Sequence, residues 1–121
     1  MMSDLAQRTC VPCRGGVPPM PRADAEKLLA QLDGGWELAE VSQGIAGLRK
    51  TYRFKDFSEA LDFVNRLGAL AEEQGHHPDI ALAWGRVTVD IWTHKIKGLT
   101  ESDFIFAAKC EEIQTIRRKS R

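Results

Sequence analysis

The run IALAWGRVTVDIWTH, residues 80–94, constrains the fold of this chain more than any other stretch. Ile80, Leu82 and Trp84 alternate with alanines, Gly85 interrupts, and Val87, Val89 and Ile91 then alternate with Thr88, Asp90, Trp92 and His94. A period of two puts one set of side chains on each face of a strand. The two halves are therefore predicted to pair as an antiparallel hairpin turned near Gly85, with one face buried. That face needs a cover, which the rest of the chain must supply.

Helical periodicity supplies it. Asp56 followed by Glu59 forms a capping box, and Phe57, Ala60, Leu61, Val64, Leu67 and Ala71 are predicted to line the inner face of the helix that follows. This helix should finish near Gly75, because Pro78 pushes the residue before it out of the helical region. Ala25, Leu28, Leu29 and Leu32 space out a short first helix from Asp24, stopped by Asp33-Gly34-Gly35. Thr100 and Asp103 cap a last helix carrying Phe104, Ala107, Ala108, Cys110, Ile113 and Ile116. Residues 36–41 and 45–54 read as a second hairpin, turned at 42–44. Its register stays open, because Lys50 interrupts the apolar set of Leu48, Tyr52 and Phe54. Two hairpins separated by a helix predict an α+β, two-layer domain over 22–121, a four-stranded antiparallel sheet with helices packed on one face. Residues 1–21 contain all but one of the five prolines and read as an extended arm that adds little core.

Bulk composition narrows the partners. At 121 residues the chain suits one core that stands without disulfides. Lys plus Arg and Asp plus Glu are 17 each, so no nucleic acid is expected. The basic group Arg117, Arg118, Lys119 and Arg121 reads as a solvated helix end. No apolar run approaches the roughly 20 residues that span a bilayer, so no membrane partner is expected. The odd count of three cysteines, with no apolar signal core at the start, suits the cytoplasm.

All three histidines fall between positions 76 and 94. Metal binding would need Cys10 and Cys13 joined by His76, His77 or Cys110, but neighbouring residues on an extended backbone point to opposite sides. No metal is expected. A nucleophile elbow, a phosphate loop and a dinucleotide fingerprint are absent from the sequence. Proton transfer is the chemistry that remains. Glu72 ends a helix, His76 and His77 lie on the turn into a strand, and His94 ends the next strand. Counted from Gly85, positions 77 and 94 are predicted cross-strand neighbours. Two histidines and a carboxylate brought together can give a proton on one side and take one on the other. Three exposed polar residues at loop ends would have the same spacing.

Glu72, then His76-His77-Pro78, Trp84, nine residues to His94, and finally Asp103 make seven spaced positions across 32 residues. This pattern resembles the pterin-4a-carbinolamine dehydratase family, the 4a-hydroxytetrahydrobiopterin dehydratases. The likeness extends to Trp36-Glu37, to Gly98-Leu99-Thr100 and to the CVPCRGGVPPM leader. It implies a hydro-lyase that takes a pterin carbinolamine to the quinonoid dihydropterin in tetrahydrobiopterin recycling, with no cofactor. It implies His76, His77 and His94 as the catalytic histidines, with proton transfer by His76 and His94 and a grip on the pterin by His77. Glu72, Pro78 and Trp84 would stand on the substrate side, Glu72 orienting a histidine, and Asp103 would support His94. The family likeness also implies a homodimer or homotetramer. The alternative is a non-catalytic, protein-binding member, a dimerisation cofactor or a Rubisco assembly factor. Retention of all three histidines favours the enzyme.

Overall fold

The computed structural model describes residues 5–8, 18–32 and 34–119, the last five of them as backbone only. A 3-10 turn at Leu5–Gln7 precedes α1 (Arg22–Leu29), β1 (Glu37–Ser42), β2 (Ile45–Arg53), α2 (Phe57–Gln74), β3 (Asp79–Ala83), β4 (Arg86–Ile91) and α3 (Glu101–Lys119). The sheet is antiparallel throughout, in the order β1-β2-β4-β3. The α+β architecture expected from the two hairpins is the one observed.

Pairing of Leu48 with Ile91 and of Tyr52 with Val87 sets the faces of the sheet. Leu48, Tyr52, Val87, Val89 and Ile91 point to one side and are buried with Phe63 of α2 and Phe104 and Phe106 of α3. Burying each such side chain contributes about 1.5–3 kcal/mol. The other face is polar. There Arg49 donates to both oxygens of Asp90 at 2.7 and 2.9 Å, and the Thr51 and Thr88 hydroxyls meet at 3.1 Å. Gly47 of β2 has no room for a side chain, since a Cβ there would stand 2.6 Å from Val41 and 2.8 Å from the Ile91 carbonyl.

Lys50 explains the ambiguous register of β2. It shares the core face with Leu48 and Tyr52, and its ammonium is 2.7 and 2.8 Å from the two carboxylate oxygens of Glu111 on α3. The same carboxylate accepts from Trp36 Nε1 at 3.2 Å and from the Tyr52 hydroxyl. A paired charge thus sits where the alternation calls for an apolar residue. Burial pushes the Tyr52 phenol well above the usual tyrosine range, and the neighbouring Glu111 carboxylate adds to that.

Helix α2 begins as expected, with the Asp56 side chain accepting from Glu59 N at 2.9 Å, and ends at Gly75 in the left-handed conformation, φ 63°. Its buried stripe is Ala60, Phe63, Leu67 and Ala71, with Val64 packed beside it, so the expected face is corrected only at Phe57 and Leu61. Phe57 and Leu61 are 45% and 40% exposed. At about 100° per residue they lie some 80–120° around the helix from Leu67, and Phe63 fills the inner line instead. Helix α1 starts at Arg22, two residues before the expected Asp24, and buries Ala25.

The expected extended arm is corrected at Leu5–Gln7. Leu5 is fully buried within the core, and the Lys109 ammonium of α3 donates to the Ala6 carbonyl at 2.9 Å. One leucine among polar neighbours has no periodicity to announce it, so only the packing against α3 marks it as core. Cys10 and Cys13 lie outside the described residues. Among the described residues no helix is long and apolar enough to cross a membrane.

Two outcomes follow for stability. Leu5→Ala should destabilise the fold by about 2–4 kcal/mol, read as a lower denaturant midpoint with an unchanged slope. Tyr52 is the only tyrosine, so tyrosinate absorbance reports it alone. The folded phenol keeps its proton above the unfolded value of about 10, so the unfolded state binds fewer protons there and stability falls as pH rises past that value. In an alkaline titration, tyrosinate should appear together with loss of near-ultraviolet circular dichroism and not before it.

Candidate functional site

Gly75 ends α2 and turns the chain toward β3, with His76 N still donating to the Ala71 carbonyl at 3.2 Å. This leaves His76 between the helix and the sheet, only 11% exposed, its ring tilted against Phe106 with centroids 5.8 Å apart. Its Nε2 lies 2.6 Å from Asp103 Oδ1.

Asp103 is a fully buried carboxylate near the start of α3. Its Oδ2 accepts from the Thr100 backbone N–H at 2.8 Å, which is the helix-capping bond expected at this point. The same oxygen accepts from Thr93 Oγ1 at 2.8 Å, and the Thr93 and Thr100 hydroxyls are 3.0 Å apart. A carboxylate accepts and does not donate, so the network assigns a proton to His76 Nε2. The neutral ring is then left with Nδ1 as its lone-pair nitrogen. Asp103 therefore holds His76, where the sequence suggested that it would support His94.

His77, the next residue, is exposed, with Nε2 at 2.5 Å from Glu72 Oε2 in the last turn of α2. Glu72 is thus in contact with a histidine. Pro78 is half-buried and leads directly into β3.

His94 has a different neighbour from the one expected. The β3–β4 turn is Trp84-Gly85, and the pairing runs from Ala83↔Arg86 to Asp79↔Asp90. Carried two residues further, that register sets position 77 against 92, not 94. The centre of the turn lies one residue earlier than the count from Gly85 assumed, and that moves the partner by two. His94 instead begins a short turn closed by a bridge between Thr93 and Gly98, and its exposed ring rests on Trp92, centroids 4.3 Å apart and planes at 30°. The three histidines thus belong to one end of the β3–β4 hairpin. His76 and the backbone beside His94 are joined through Asp103 and Thr93.

Trp84 is not brought to this group. It stands at the hairpin tip, 68% exposed and outside the core. Six residue-to-residue steps of extended chain, about 20 Å, separate it from Pro78. Two cavities, of about 210 and 290 Å³, open beside α1 and are lined in common by Arg22, Leu38, Gly44 and Ala46. None of the candidate residues lines either. Thr93, Trp92 and Phe106, which complete the surroundings of the histidines, carry no sequence signal of their own; a threonine or aromatic at the end of an alternating run looks like any strand residue, and a phenylalanine in an amphipathic helix looks like any core residue.

Comparison with known proteins bears on the family of the chain. A family model described as pterin 4 alpha carbinolamine dehydratase matches residues 18–113. The chain is 55% identical to a Rubrobacter xylanophilus protein over 93% of this chain and 100% of that one. It is 48% identical to a Rickettsia canadensis protein over 91% and 97%. Both are named, provisionally, pterin-4-alpha-carbinolamine dehydratase. Among solved structures it is similar to a transcriptional coactivator/pterin dehydratase from Brucella melitensis, with TM-score 0.70, 32% identity and coverage of 78% of this chain and 97% of the other. A pterin dehydratase-like protein identified as a RuBisCO assembly factor in the alpha-carboxysome shares the fold, at TM-score 0.56 and 23% identity over 66% of this chain and 89% of its own.

Asp103→Asn keeps the shape but replaces one acceptor oxygen by a donor facing His76 Nε2–H or the Thr93 hydroxyl. Such a buried mismatch should cost about 1–3 kcal/mol of stability, measured by chemical denaturation.

Proposed function

We propose that this chain, which belongs to the pterin 4 alpha carbinolamine dehydratase family, removes water from 4a-hydroxytetrahydrobiopterin to give the quinonoid dihydropterin. In that reaction the proton leaves N5, the C4a–O bond breaks, a C4a=N5 double bond forms, and the departing oxygen takes up a proton to leave as water. Nothing in this balance calls for a metal, a nucleotide or a covalent intermediate. One group must accept a proton and another must deliver one.

The observation that carries the reading is the His76–Asp103 pair at 2.6 Å. With Nε2–H held by a buried carboxylate, Nδ1 of His76 accepts the N5 proton, and the imidazolium that forms is stabilised where it stands by the charge of Asp103. His94, exposed and backed by Trp92, delivers a proton to the 4a-oxygen. His77, tied to Glu72, grips the pterin beside them. The reading includes tetrahydrobiopterin recycling in the cytoplasm and assembly as a homodimer or homotetramer. Trp84 acts within that site only if it comes from a second copy, given its distance in one chain.

Stopped-flow decay of the 4a-hydroxytetrahydropterin, compared with buffer alone, tests the reading. Purified protein treated with chelator should accelerate the decay as well as untreated protein. His76→Ala and His94→Ala should each reduce the chemical step by about 10²- to 10⁴-fold with a smaller change in KM. Near-full activity of the double variant on either 4a-epimer would overturn the assignment. So would a loss on chelation that zinc restores.

A further inference from the structure

We propose that Thr93 is a positioning residue that sets the proton acceptor and the proton donor in one frame; this rests on the dehydration reading. Thr93 lies between the end of β4 and the turn that carries His94, and it is almost fully buried. Its backbone closes that turn. Thr93 N donates to the Gly98 carbonyl at 2.8 Å, while its own carbonyl accepts from Ile96 N at 3.1 Å and from Lys97 N at 2.9 Å. Its side chain serves the other histidine. The hydroxyl donates to Asp103 Oδ2 at 2.8 Å, and Asp103 Oδ1 holds His76.

A hydroxyl has one proton to give. Because Thr93 gives its proton to Asp103, the Thr100 hydroxyl is the donor in its bond to Thr93, and the direction of these two bonds is set. With Thr93 and Thr100 N both on Oδ2, the Asp103 carboxylate cannot rotate, and Oδ1 is left aimed at His76. His76 comes from the connection between α2 and β3 and His94 from beyond β4, and Thr93 bonds to the support of both.

A second observation points to the same residue. Lys97 is the one non-glycine among the described residues at positive φ, 57°, a conformation that side chains other than glycine adopt at a cost. Its N–H donates to the carbonyls of Thr93 and His94, at 2.9 and 3.2 Å. The turn is thus held in a strained shape by closure on Thr93, which is the kind of over-determined backbone found where a side chain must be aimed.

Thr93→Val removes the hydroxyl while keeping the branched shape and the backbone closure, and Thr93→Ser keeps the hydroxyl. Imidazole ¹⁵N shifts of neutral His76 should show one tautomer, protonated at Nε2, in the wild type and in Thr93→Ser, and a mixture of tautomers in Thr93→Val. Turnover in Thr93→Val should fall by about 10- to 100-fold with KM changed by less than about threefold, and Thr93→Ser should recover most of the loss. A purely structural role would lower the melting temperature of Thr93→Val without altering the tautomer. A single Nε2–H tautomer and wild-type turnover in Thr93→Val would overturn the proposal. Should that variant not fold, loss of the tautomer or of turnover in Thr93→Ser would overturn it equally. If the wild type itself does not accelerate the dehydration, the dehydration reading fails, and the tautomer measurement still decides whether Thr93 sets His76.

Discussion

A single buried carboxylate organises one end of this molecule. Asp103 has lost its water entirely and replaces it with three protein donors, from His76, Thr93 and Thr100. Burial without those donors would be prohibitive, so the group and its partners stand or fall together. The three donors come from three segments: the exit of α2, the end of β4 and the start of α3. Satisfying one acidic side chain therefore also fixes where those segments meet, and that junction is where the histidines are.

The far part of α3 is held by the same kind of bond. Glu111 lies eight residues beyond Asp103, about 12 Å along the axis, and accepts from Lys50, Trp36 and Tyr52. Between these two polar anchors Phe104, Phe106 and Cys110 pack into the core. Dispersion and burial supply most of the attraction between helix and sheet, but apolar contacts alone tolerate sliding. Directional bonds at two places remove that freedom. A helix fixed in rotation and in register is what keeps Asp103 opposite His76.

The three histidines have different surroundings, and the differences follow from where the chain leaves them. His76 is enclosed because Gly75 turns it inward under Phe106. His77 follows, is exposed and meets Glu72. His94 rides on a closed turn with Trp92 as its flat support. One enclosed ring with a carboxylate behind it and two open rings at the same end of the hairpin make an asymmetric set.

Much of this was readable in the sequence. Alternation at Val87, Val89 and Ile91, the Asp56 cap, Gly75 and Pro78 determined the strands, the helices and their antiparallel order, because each acts through local backbone geometry. The spacing of Glu72, His76, His77, His94 and Asp103 likewise singled out residues that the fold gathers at one end of the β3–β4 hairpin. Tertiary structure decided what depends on the meeting of distant segments. It showed Asp103 bound to His76 and not to His94, because the two-residue turn at Trp84-Gly85 sets the strand register and α3 reaches the exit of α2. It placed Lys50 on the core face through Glu111, sixty-one residues away in sequence, and buried Leu5 against α3, one hundred residues on. A residue's own neighbours state which way its side chain points; what it then meets is settled only when the chain closes on itself.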